Sequence, residues 1–212
     1  LFDNELTADN PSELLESQKS IRNFPNTLSV VEIEEIFNIV PVDSFIGLRD
    51  LAILSVLYSS GMRVSELIHL EFSNIFLNEE YIKIMGKGKK ERLAPLGLKA
   101  KENLINYIKK ARNFFQISAS KGYVFLSYRA KPMTRMAVFN LIKKYCTLAG
   151  IGKRVSPHTF RHSFATHMLE GGADLRIVQE ILGHENINTT EIYTHLDRTY
   201  LKEVHKLCHP RG

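Results

Sequence analysis

Ser156-Pro157-His158-Thr159-Phe160-Arg161-His162 is the stretch on which the reading of this chain turns. Ser156 is a good N-cap, and Pro157 falls at the first helical position, where its missing N–H is no loss. A helix that starts there sets His158 and Arg161 about 60° apart, on one face. Phe160, Phe164 and His167 fall on the other half, towards a core. The helix N-terminus beside His158 offers donors and the positive end of a dipole, which suits an anion. Leu182-Gly183-His184 follows downstream, with Tyr193 nine residues past that histidine. Far upstream, Arg63 lies in Gly61-Met62-Arg63-Val64-Ser65-Glu66-Leu67. Arginine forks match phosphate oxygens and stay charged at physiological pH. A tyrosine hydroxyl can become a covalent nucleophile once its proton is taken or offset. Two arginines, two histidines and a tyrosine therefore point to one phosphodiester, and to cleavage and rejoining of a DNA strand.

Taken singly, each of these side chains has a plainer reading. A lone H-x-x-R is most often an exposed helix face, a histidine after a helix-ending glycine is a cap, and most tyrosines are simply packed. Lys87, between Gly86 and Gly88, reads as a basic turn or as a mobile tip that brings its ammonium to a leaving oxygen. His158, His162 and His167 cluster, but 162 and 167 fall on different helix faces, Arg161 lies among them, and there is no H-E-x-x-H and no cysteine pair. No metal site is expected, and no cofactor.

Outward from this core the periodicity is mostly helical. Ser29 and Glu32 form a capping box ahead of Ile33, Ile36, Phe37 and Val40. Residues 47–59 are apolar enough for a core helix ended by Gly61, and a short helix is expected over 64–69. Around 74–96 the period changes to two. Residues 81–85 and 91–95 read as a hairpin across the glycine- and lysine-rich turn 86–90, with 75–77 as a possible third strand. Helices are expected over about 98–115, 135–149, 157–170 and 174–182, with shorter turns at 189–195 and 198–206. The fold class is mainly α with a small antiparallel β-sheet (α+β).

The 212 residues suffice for one sizeable domain with an arm. Residues 1–26 read as a linker or arm, 27–197 as the catalytic domain and 198–212 as a C-terminal helix and tail. No apolar run is long enough to span a membrane, the acidic start lacks a signal-peptide pattern, and Cys146 and Cys208 read as free thiols of a reducing compartment. A cytoplasmic protein is expected. A chain that begins with Leu1 is expected to be part of a longer one. The net charge of +5 is unevenly spread. Residues 1–60 hold 3 basic and 10 acidic side chains, a balance of −7, and the remainder holds 25 and 13, a balance of +12. A basic body suits a nucleic-acid partner, although many basic proteins bind none.

Together these segments resemble the catalytic domain of the tyrosine recombinases, the phage-integrase family of site-specific recombinases, most closely its bacterial Xer-type members. The motifs are Gly-Met-Arg-Val-Ser-Glu-Leu (61–67), Gly-Lys-Gly-Lys-Lys-Glu-Arg (86–92), Met-Thr-Arg (133–135), Ser-Pro-His-x-x-Arg-His (156–162), Gly-Ala-Asp-Leu-Arg (172–176), Leu-Gly-His (182–184), Tyr-Thr-His (193–195) and the terminal His-Pro-Arg (209–211). The resemblance implies that Tyr193 is the nucleophile of a 3′-phosphotyrosyl intermediate. It implies that Arg63, His158 and Arg161 cradle the phosphate and that Lys87 protonates the leaving 5′ oxygen. His184 would bond the phosphate, and Glu66 would orient the arginine and histidine. Lys89, Lys90, Arg92 and Arg135 are expected DNA contacts. The implied partners are a double-stranded recombination site, a homo- or hetero-tetramer on DNA and a septal DNA translocase, with chromosome-dimer resolution as the role. A mobile-element integrase, a type IB topoisomerase and a catalytically silent DNA-binding protein are the alternatives. The family's N-terminal DNA-clamping domain has no counterpart in these residues, and 198–212 would dock on a neighbouring protomer.

Overall fold

The computed structural model describes residues 27–85, 91–115, 122–183 and 198–212. Helix α1 (Val30–Asn38) opens with the expected box: Ser29 accepts from the Glu32 N–H, and Glu32 accepts from the Ser29 N–H. It buries Ile33, Ile36 and Phe37. Helix α2 (Phe45–Ser60) begins two residues earlier than its periodicity indicates, because the Ser44 hydroxyl accepts from the Gly47 N–H. From Ala52 to Ser60 every α2 side chain is buried, as expected of a helix apolar on all sides. It forms the axis on which the other elements pack.

Gly61 ends α2 in the left-handed conformation at φ 58°. A Cβ there would stand 2.6 Å from Phe164 and 2.8 Å from Leu182. Glycine is thus required both by the turn and by the close approach of two other helices, and the turn delivers Arg63 to the start of α3 (Val64–Ile68).

The sheet is antiparallel, in the order β1 (Ile75–Phe76), β2 (Tyr81–Met85), β3 (Glu91–Pro95). Ile82 faces Ala94 and Ile84 faces Arg92 across the β2–β3 ladder. Ile82, Ile84 and Ala94 are buried, so this face of the sheet looks inward and Arg92 shares it. Helix α4 (Leu98–Lys110) stops short of the expected 115. Arg112 turns inward, donating to the carbonyls of Tyr123 and Val124, and the chain tightens into a 3-10 turn over Arg112–Phe115.

Helices α5 (Arg135–Leu148), α6 (Pro157–Glu170), α7 (Leu175–Leu182) and α8 (Arg198–Cys208) follow. Thr134, Ser156 and Asp174 cap the first three. The expected turn at 189–195 lies outside the described residues. The main apolar core surrounds α2 and reaches Phe160 of α6. A smaller one joins Phe164 and Met168 of α6, Ile177, Val178, Ile181 and Leu182 of α7, and Leu201 of α8. Arg161 stands on the seam between the two.

Helix α8 lies against its own domain. Its His205 Nε2 meets the Ser59 carbonyl at 2.8 Å, and beyond the helix His209 Nε2 meets the Tyr58 carbonyl at 3.3 Å. The His205 and His209 rings stack, and Arg211 closes the chain on Glu34 at 2.9 Å. No helix among the described residues is long and apolar enough to cross a membrane.

Candidate active site

The end of α7 gathers three guanidinium groups. Arg92 Nε donates to the Ile181 carbonyl at 2.9 Å, Arg161 Nη2 to the Leu182 carbonyl at 2.8 Å, and Arg63 Nη2 approaches the Gly183 carbonyl at 3.5 Å. These are consecutive carbonyls at a helix C-terminus, where the dipole is negative and the carbonyls lack helical partners. Gly183 caps the helix in the left-handed conformation at φ 69°, and a Cβ there would lie 2.8 Å from Arg92 Cδ. Leu182-Gly183 therefore acts as a seat that brings together residues separated by about a hundred positions in the chain.

Arg161 donates a second bond to the Gly61 carbonyl at 2.6 Å, so it spans from the end of α2 to the end of α7. Among the described residues both its hydrogen-bond partners are carbonyls. Burial, with the charges of Arg63 and Arg92, pushes its pKa down to about 10 against the opposing pull of Glu66. The group is still protonated at neutral pH, but its charge is poorly solvated and poorly paired. Such a cation gains from an incoming anion.

Glu66 serves as the carboxylate of the group. Its Oε1 accepts from Arg92 Nη1 at 2.8 Å and from Arg63 Nη1 at 3.1 Å. Its Oε2 accepts from Arg92 Nη2 at 2.7 Å and from the Arg63 backbone N–H at 2.7 Å. Burial alone would raise its pKa, but the bonds from Arg92 and Arg63 hold it below the usual carboxylate range. The side chains of Glu66 and Arg92 are 9 % and 8 % exposed, whereas that of Arg63 is 42 % exposed.

Of the expected site residues, Arg63, Glu66 and Arg161 are thus brought together. Glu66 bonds Arg63, while its second partner among the described residues is Arg92 rather than a histidine. His158 lies exposed in the first turn of α6, and Arg135 is exposed as the first residue of α5. Lys87, Lys89, Lys90, His184 and Tyr193 lie outside the described residues.

Arg92 differs in its surroundings from Arg135, the other expected DNA contact among the described residues. Expected among the DNA contacts, it is part-buried, with a side chain 8 % exposed that is committed to Glu66 and the Ile181 carbonyl. The hairpin register carried the signal: if Ile82 and Ile84 face inward, their cross-strand partners do too, and Arg92 opposes Ile84. The basic tip drew Arg92 into the same reading as its neighbouring lysines.

The sequence profile described as the Phage integrase family matches residues 26–199. The Tyrosine recombinase XerD of Chlorobaculum tepidum is 44 % identical over 216 residues, which cover all of this chain and 71 % of that protein. The Yersinia pestis Tyrosine recombinase XerD is 43 % identical over 213 residues, with the same coverage of both chains. The crystal structure of the XerA recombinase superposes with a TM-score of 0.68 at 33 % identity, covering 88 % of this chain and 66 % of that one. The XerH site-specific recombinase, solved bound to its difH substrate in a pre-cleavage complex, superposes with a TM-score of 0.66 at 26 % identity. That match covers 81 % of this chain and 50 % of the XerH chain. The chain thus spans about seven-tenths of these curated relatives and between half and two-thirds of these solved chains. With arginines gathered as phosphate chemistry requires, and with a family profile that runs through nearly the whole described fold, the chain belongs to the phage integrase family, within its Xer-type tyrosine recombinases.

Proposed function

We propose that this domain cuts and rejoins DNA at a specific site through a covalent bond between Tyr193 and the 3′ phosphate. The observation that carries the reading is the charge of the arginine group: three guanidiniums gather at the end of α7, and the carboxylate of Glu66 pairs with two of them, Arg63 and Arg92, while Arg161 bonds carbonyls. In-line attack on a phosphodiester builds negative charge on the non-bridging oxygens. Fixed cations stabilise that charge more than the ground state, and removing one such donor lowers the rate by about 10²–10³.

In the proposed reaction the Tyr193 oxygen attacks phosphorus as its phenolic proton leaves. The bond from phosphorus to the 5′ oxygen breaks, and Lys87 supplies that oxygen with a proton. Free tyrosine titrates near ~10 and is about a thousandth ionised at neutral pH. His158 is the candidate base by motif, and the cations of the site lower the cost of the phenolate. Arg63 and Arg161 bind the phosphate, His184 bonds it, and Glu66 orients Arg63. The phosphotyrosyl ester conserves the energy of the phosphodiester, so attack by a 5′-hydroxyl reseals the strand without ATP. Lys89, Lys90 and Arg135 contact DNA outside the reacting centre. Assembly as a tetramer on two sites, contact with a septal translocase, chromosome-dimer resolution and a cytoplasmic location extend the same proposal. The likeness to Xer recombinases supports them.

The test is covalent trapping. On a nicked suicide DNA carrying the cognate site, the full-length protein forms an adduct that survives denaturation, and Tyr193→Phe binds the DNA but forms none. An adduct in that variant would refute the nucleophile. Lys87→Ala is slow on ordinary DNA but recovers on a 5′-bridging phosphorothiolate, whose sulfur leaves without a proton; a variant equally slow on both has lost something other than a general acid.

A further inference from the structure

We propose that Arg92 is a positioning residue that keeps Arg63 available to the scissile phosphate by outcompeting it for Glu66. The proposal rests on the recombinase reading above and deepens it. Arg92 grips both oxygens of Glu66 with a parallel fork, at 2.8 and 2.7 Å, the strongest arrangement an arginine and a carboxylate can make. Both side chains are nearly closed to solvent, so the pairing is little screened. Arg63 keeps one side-chain contact to the same carboxylate, at 3.1 Å, on an oxygen already occupied by Arg92. Its side chain stays 42 % exposed.

Arg92 cannot take the phosphate-binding place itself. It projects from the inward face of β3 opposite Ile84, its Nε is held by Ile181, and its Cδ lies where a Gly183 side chain would stand. Its charge is therefore spent inside the protein. Without it, a buried carboxylate three residues from Arg63 would face that arginine alone. The short tether and the poor solvation of Glu66 would draw the Arg63 fork onto it, neutralising the charge and occupying the donors that the phosphate needs. Arg92 thus converts Glu66 from a trap for Arg63 into a guide that holds its backbone and one edge.

This role differs from a purely structural one in its dependence on substrate charge. The test compares single-turnover cleavage of two suicide DNAs by the full-length protein. One DNA has a normal scissile phosphodiester; in the other a methyl group replaces a non-bridging oxygen, making a neutral methylphosphonate. Arg92→Met is expected to slow cleavage of the phosphodiester by about 10²-fold and of the methylphosphonate by less than about 5-fold. Adding Glu66→Gln removes the trap, and the double variant is expected to regain about 10-fold on the phosphodiester. Arg92→Lys keeps the charge but cannot fork both oxygens. It is expected to show the same substrate dependence at about 10-fold, and supplies the comparison should Arg92→Met fail to fold. Equal deficits on the two DNAs, or no recovery in the double variant, would overturn the role of Arg92. A wild-type protein that forms no adduct on either DNA would overturn the recombinase reading instead.

Discussion

Arg49 and Arg161 are both withdrawn into the fold, yet they are held in opposite ways. Arg49 bonds Asp50 Oδ1 through Nε at 3.0 Å and Nη2 at 2.7 Å, and its Nη1 reaches the Leu126 carbonyl at 3.2 Å. The other oxygen of Asp50 accepts from the Tyr145 hydroxyl at 3.0 Å. One cation meets one anion there, and both carboxylate oxygens are engaged within the fold. At the end of α7 three cations gather beside one carboxylate; Arg63 and Arg92 bond it, and Arg161 is left with carbonyls alone. Arg112 shows that one arginine satisfied by carbonyls is an ordinary structural device. The gathering of three beside a single acid is what separates a binding site from a brace.

The largest effect that tests this contrast is expected from Asp50→Ala, which leaves Arg49 buried without its acid. It should cost about 3–5 kcal/mol in denaturant unfolding while cleavage per folded molecule stays unchanged. Arg161→Ala should do the reverse. Cleavage falls by about 10²–10³, but the melting temperature without DNA is unchanged or higher, because a cation crowded by Arg63 and Arg92 has been removed. A lower melting temperature in that variant, comparable to the Asp50 loss, would erase the distinction.

The buried histidines at the C-terminal end are a third case, ionisable groups kept neutral rather than paired. Burial pushes His205 down to about 4, only partly offset by its bond to the Ser59 carbonyl, and burial also lowers His209 and His167. The unfolded imidazole takes up a proton near pH ~6.5, whereas the folded one resists until much lower pH. Stability is therefore complete above that value and declines as pH falls from about 6.5 to about 4, by on the order of 3 kcal/mol for His205. His205→Gln should flatten that decline in urea titrations across the window; an unchanged slope would remove His205 as its source. The smallest effect is Tyr145→Phe, which deletes one bond to Asp50 and should cost about 2 kcal/mol with no change in cleavage.

Much of this was legible in the residues. The capping box of Ser29 and Glu32, the Ser156-Pro157 helix start, the glycine after α2 and the alternation on either side of the 86–90 turn each place an element through local chemistry, and each element formed. What was not legible depends on partners far along the chain. Arg112 bends the end of α4 because the carbonyls of Tyr123 and Val124 are there to receive it. Arg92 belongs to the interior because Glu66 and Ile181 come from two other segments. Arg63 and Arg161 could be named from their motifs, but their common seat on residues 182 and 183 exists only after folding.

That seat has a consequence for control. Arg92, Arg161 and Arg63 rest on three successive carbonyls at the end of one short helix, so the three share a common support. A displacement of α7 would alter all three contacts together, leaving Arg161 on the Gly61 carbonyl and Arg63 and Arg92 on Glu66.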